Sequence, residues 1–221
     1  LTVFPVSAAG EPLGPPRRIT NEIAYAPSWQ GDSRHILYQS NDKLRLLDIE
    51  TGEAKTLPVD LSYRVYVPKT HMVLHVGKLV DGISRTARND MDIVIDGNRI
   101  AAIEPHVKGR QAIEAPALTA MPGLIDFHTH RQSDSGEQQG RDFLAYGVTT
   151  IRSPGQSPYE AVEDREATDA GIRISPRIFN TGHLMEWQRV YYKMGVAVSS
   201  PAHLEREFTR MRALHYDMIK S

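Results

Sequence analysis

Two histidines one residue apart, His128 and His130, close the apolar run Ala120-Met121-Pro122-Gly123-Leu124-Ile125-Asp126-Phe127-His128-Thr129-His130. In a β-strand, residues two apart point to the same side, so both imidazoles would project together with Cα atoms roughly 6.6 Å apart. A neutral imidazole binds zinc at about 2.0–2.1 Å, and the pair can share one ion where the strand end opens into a cavity. The spacing by itself fits a pair of surface histidines in a turn better than a metal site. With no cysteine in the sequence, disulfides and thiolate sites are excluded, and any metal must be held by His, carboxylate or modified Lys.

The elements that must position this pair follow a strand-then-helix rhythm from Ala120 onward, as a parallel α/β fold requires. Strand one ends at His130, and a helix is expected from about Gly136 to Tyr146. Gly147 to Arg152 supplies strand two. Pro158 suits the first turn of a helix running to Ala170, with Gly171 as its stop. Strand three is Arg177 to Asn180. Ser200-Pro201 opens another helix, whose stripe of Leu204, Phe208, Met211 and Leu214 is ordinary core packing. Asp217-Met218-Ile219-Lys220 reads as strand four.

The preceding residues read as strands. Met72 to His75, Asp92 to Ile95, Arg99 to Ile103 and Gln111 to Glu114 alternate in hydrophobicity, and Asp96-Gly97-Asn98 is a hairpin turn. Before them, Ile23 to Tyr25, His35 to Gln39, Lys43 to Asp48 and Glu53 to Leu57 are separated by the turn formers Gln30-Gly31-Asp32-Ser33, Asn41-Asp42 and Thr51-Gly52. Four strands so spaced make one propeller blade, or a small independent meander. The fold class expected is therefore mixed, with the divisions 1–62, 63–119 and 120–221.

Pro122-Gly123-Leu124-Ile125-Asp126-Phe127-His128-Thr129-His130 resembles the first barrel strand of the amidohydrolase superfamily, metal-dependent (β/α)₈ hydrolases of imidazolonepropionase and prolidase type. Lys78 to Gly82 with Asp92 to Ile103 resembles the small β-sandwich that precedes the barrel in that superfamily. Ala26-Pro27-Ser28-Trp29-Gln30-Gly31-Asp32 and Leu46 to Gly52 are similar to blades of TolB-like β-propellers. Propellers close with about 4–8 blades, and a whole TIM barrel takes about 250 residues. The expectation is a fragment: a propeller end, part of a sandwich, and the first half of a TIM barrel, with the C-terminal half missing.

The resemblance implies that His128 and His130 bind one or two divalent ions, zinc first among them. It implies that Lys220, at the end of strand four, becomes a carbamate. An ammonium only donates hydrogen bonds, whereas a buried neutral amine can add carbon dioxide and become an anionic ligand. In the mechanism so implied, a metal-bound water with its pKa lowered towards about 7 attacks the scissile carbonyl of an amide or other C–N bond. The substrate would be a small molecule or dipeptide-like. The resemblance implies further histidines from strands five and six, and an aspartate after strand eight, which would lie beyond Ser221.

His183, in Thr181-Gly182-His183 after strand three, is a candidate substrate contact or a structural loop residue. Arg152 could hold a substrate carboxylate bidentately, or sit in a surface ion pair. Asp126 could support His128 from deeper in the strand. His35, His71, His75, His106, His203 and His215 show no metal spacing with one another and read as structural.

A formal net charge of −1, from 26 basic and 27 acidic residues without a long block of one sign, argues against a nucleic-acid partner. Nothing suggests a membrane protein, and a homo-oligomer is open. Without an initiator Met or an apolar h-region at the start, the compartment is undecided between cytoplasm and periplasm or secretion. The rival reading is a propeller-based protein-binding module with a catalytically inactive barrel.

Overall fold

The structure is a computed structural model that describes residues 1–131, 135–190, 192 and 194–221. It divides into two compact units. The first holds Leu1–Ser62, Ser153–Asp164 and Phe179–Ser221, and the second Tyr63–Arg152 and Arg165–Ile178.

The first unit begins with a short antiparallel pair, β1 (Thr2–Val3) and β2 (Arg17–Arg18). A four-stranded antiparallel meander follows, β3 (Tyr25–Trp29), β4 (His35–Ser40), β5 (Lys43–Asp48) and β6 (Ala54–Leu57), in chain order. Strand β4 alternates as a half-buried strand should. Ile36 and Tyr38 point into a core shared with Ile19 and Leu47. Asn41, at φ +54°, makes the tight β4–β5 turn. The predicted first strand, Ile23 to Tyr25, is displaced: β3 starts at Tyr25. Ala26 takes a left-handed φ of +48°, and the register shifts between Tyr25 and Ser28, so the chain pairs beyond this bulge.

In the second unit, β7 (His71–Leu79), β8 (Arg88–Asp96), β9 (Arg99–Pro105) and β10 (Ile113–Ala120) form one sheet in the order β10-β7-β8-β9. The strands are longer than hydrophobic alternation indicates, and β10 runs parallel to β7 along the sheet edge. Its register slips between Ala115 and Thr119, where the Pro116 carbonyl presses so close to Gly77 that a Cβ there would lie 1.9 Å from it. Val76, Leu79, Met91 and Ile93 are the buried core.

Strand β11 (Leu124–Asp126), helix α1 (Gln138–Ala145), strand β12 (Val148–Ser153), helix α2 (Pro158–Asp169) and strand β13 (Arg177–Asn180) follow. The sheet order is β11-β12-β13, and β11 and β12 are parallel. Gly171, at φ +71°, ends the α2 segment as expected. The described residues contain no closed barrel.

Two strands that hydrophobic patterning did not single out, β14 (Leu184–Trp187) and β15 (Gly195–Val198), form a parallel pair in the first unit. Helix α3 (Pro201–Ala213) is capped by Ser200, whose hydroxyl accepts the His203 N–H at 3.2 Å. Its Leu204, Phe208 and Met211 pack on Met185 and Val198. The expected fourth strand, Asp217 to Lys220, is not a strand. It makes separate backbone bonds, Asp217 N–H to the Asn180 carbonyl and Met185 N–H to the Lys220 carbonyl, without a ladder. No described helix is long and apolar enough to cross a membrane.

Candidate metal site

Strand β11 ends at Asp126, so His128 and His130 lie in the segment after the strand and not on it. Local hydrogen bonds do the positioning that a strand was expected to do. The Asp126 carboxylate accepts the His128 N–H at 2.9 Å, and the Arg152 carbonyl at the end of β12 accepts the Thr129 N–H at 3.2 Å. Gln139 in the first turn of α1 donates its amide to the His130 carbonyl at 2.9 Å. Arg131, 3 % exposed, donates to the Gln139 side-chain oxygen at 3.3 Å and to the Gly136 carbonyl at 3.2 Å. Four consecutive residues are thus tied to β11, β12 and the start of α1.

The two imidazoles meet edge to face, with ring centroids 5.7 Å apart and planes at 64°. Two rings bound to one tetrahedral ion at about 2.0–2.1 Å per nitrogen have centroids about 5–5.5 Å apart. The observed centroid separation lies just above that range. Both residues are exposed. Among the described residues, no group of three or more His, Cys, Asp or Glu side chains is set to hold an ion.

Arg152 belongs to the same unit and is half-buried; its Nε is buried with no hydrogen-bond partner among the described residues. Lys220 and His183 belong to the other unit. Lys220 is half-buried. His183 is 2 % exposed and packed on α3. Its Nε2 lies 2.9 Å from a Glu207 oxygen, and Arg210 approaches both ring nitrogens, at 3.0 and 3.3 Å. Arg210 also donates to Glu207 at 2.6 Å. Burial pushes the Glu207 carboxyl up, but the His183 hydrogen bond and the nearby Arg210, His183 and His203 charges outweigh it and hold the group below its usual range. Sequence reasoning singled out His183 but not Glu207 or Arg210; their i,i+3 spacing on one face of α3 was the available signal.

No protein-family model matches the chain. It is 33% identical over 92 residues to a dihydroorotase of Elusimicrobium minutum (strain Pei191), a match covering 41% of this chain and 19% of the relative. It is 41% identical over 64 residues to adenine deaminase 1 of Bradyrhizobium sp. (strain ORS 278), covering 27% of this chain and 10% of that one. Among solved structures, a putative prolidase from Bifidobacterium longum matches with a TM-score of 0.58 and 28% identity, covering 66% of this chain and 39% of the other. A Xaa-Pro dipeptidase with bound methionine shares the fold at a TM-score of 0.53 and 24% identity, over 68% of this chain and 46% of that one. These relatives are amidohydrolase-superfamily hydrolases that act on carbon–nitrogen bonds. The chain spans about a fifth of the dihydroorotase and about two fifths of the putative prolidase.

Proposed function

We propose that this chain supplies the first metal ligands of an amidohydrolase that cleaves an amide or other C–N bond in a small or dipeptide-like substrate. The observation that carries the reading is the His128–His130 pair, 5.7 Å between centroids and pinned at the end of a parallel β/α unit. Likeness to a dihydroorotase, an adenine deaminase and a prolidase supports it.

A divalent ion, zinc first among them, would supply Lewis acidity toward a carbonyl oxygen and toward water. His128 and His130 would hold it through neutral imidazole nitrogens. The Asp126 carboxylate fixes the backbone at His128, and Gln139 fixes it at His130. Arg152, whose buried Nε has no hydrogen-bond partner among the described residues, would orient a substrate carboxylate. Lys220 enters on sequence resemblance, as a carbamate that contributes an anionic oxygen. His183 enters as a substrate contact only if it gives up part of its bonding to Glu207 and Arg210.

Metal binding tests this. The chain, freed of metal and titrated with zinc under calorimetry, is expected to take up an ion that the His128→Ala/His130→Ala double variant does not. Equal uptake by a folded double variant would overturn the assignment, as would absence of uptake by the folded parent.

A further inference from the structure

The sheet of the second unit carries a row of titratable groups across its four strands. Glu114 on β10 stands opposite His75 on β7, His75 opposite Asp92 on β8, and Asp92 opposite Glu104 on β9. His75 is 6 % exposed, and a carboxylate faces each of its ring nitrogens: Glu114 at 2.5 Å from Nδ1 and Asp90 at 2.9 Å from Nε2.

A neutral imidazole has one N–H and one lone pair, whereas only the imidazolium donates from both nitrogens. Two ionised carboxylates on two nitrogens therefore require the doubly protonated ring. We infer that His75 is a proton-controlled clamp: charged, it ties β10 through Glu114 to β8 through Asp90 across β7, and neutral, it releases one of the two. The hydrogen bonds to Glu114 and then Asp90 raise the His75 pKa above its usual value, against burial, which lowers it.

A second imidazole and a buried carboxylate lie beside this ring. His106 stacks on it, centroids 3.7 Å apart and planes at 15°, and places its Nδ1 2.8 Å from Asp92. Asp92, fully buried, is compensated separately by Arg110 at 3.2 Å and by the Val107 N–H at 3.2 Å, and Arg110 also pairs with Glu104. A raised pKa makes the clamp complete below the unfolded value of about 6.5 and lost as pH rises through the folded value.

Strand β10 leads through Met121–Gly123 directly into β11. The test is amide hydrogen exchange of Ile113–Ala120 in the full chain from about pH 6 to about pH 9, corrected for intrinsic exchange, with nitrogen NMR of the His75 ring. Both ring nitrogens should be protonated at low pH, and protection of β10 should fall about tenfold for each unit by which the His75 pKa is raised. His75→Gln should show pH-independent protection. Glu114→Gln should move the transition to lower pH, and it serves also where the His75 variant does not fold. A singly protonated ring at low pH, protection insensitive to pH in the parent, or an unmoved transition in Glu114→Gln would each overturn the clamp.

Discussion

The Gln139 side-chain amide donates to the His130 carbonyl at 2.9 Å while its oxygen accepts from buried Arg131 at 3.3 Å. One residue in the first turn of α1 thus fixes the carbonyl of one candidate ligand and the side chain of the residue after it. Groups that orient a metal ligand without touching the ion commonly change affinity by about 10–100-fold.

Gln139→Ala is therefore expected to weaken zinc binding about 10-fold while leaving α1 intact, since Ala is a strong helix former. Calorimetric titration beside far-UV circular dichroism checks this. Unchanged affinity would show that the other three anchors suffice.

Gly123 marks the entry to β11. A Cβ there would lie 2.0 Å from Thr149 Oγ1 and 2.7 Å from Thr149 Cβ. Gly123→Ala should cost about 1–3 kcal/mol through overpacking. Gly31→Ala, where a Cβ meets nothing within 4 Å, should stay within about 0.5 kcal/mol. Urea denaturation of both variants provides the comparison.

Glu207, 1 % exposed, faces both His183 and Arg210. Glu207→Gln leaves the Arg210 charge buried without its carboxylate and should destabilise by about 3–5 kcal/mol. Its carboxyl is held below the usual value, so its contribution is present above the unfolded pKa of about 4.3 and is lost as pH falls through the folded value. Denaturation midpoints measured down to about pH 3 should therefore fall less steeply in the variant than in the parent. Parallel curves would refute this role.

Hydrolysis by the 221-residue chain alone is expected to be absent, because two imidazoles leave an ion short of ligands among the described residues. Incubation with zinc and a proline dipeptide, dihydroorotate or adenine, followed by chromatography, reads this out. Turnover abolished by a chelator would show that the described donors already suffice.

Local pattern determined much of the secondary structure. The Arg177–Asn180 strand, the helix opening at Pro158 and the Ser200-capped helix are legible because turn glycines, prolines and caps act within a few residues of themselves. The His128–His130 spacing was also legible, but the strand period that was to bring the two rings to one side does not apply, because β11 ends at Asp126. The support of the pair was not legible. Asp126, Arg152 and Gln139 hold that segment through contacts a strand-period argument does not contain, and β11 stops before it. Tertiary structure likewise decided that Asp217–Lys220 forms no ladder, and that His75 stands between carboxylates from β8 and β10. The physical reason is range: caps and turns are settled by neighbours along the chain, whereas strand register and charge pairing depend on which distant segments lie alongside.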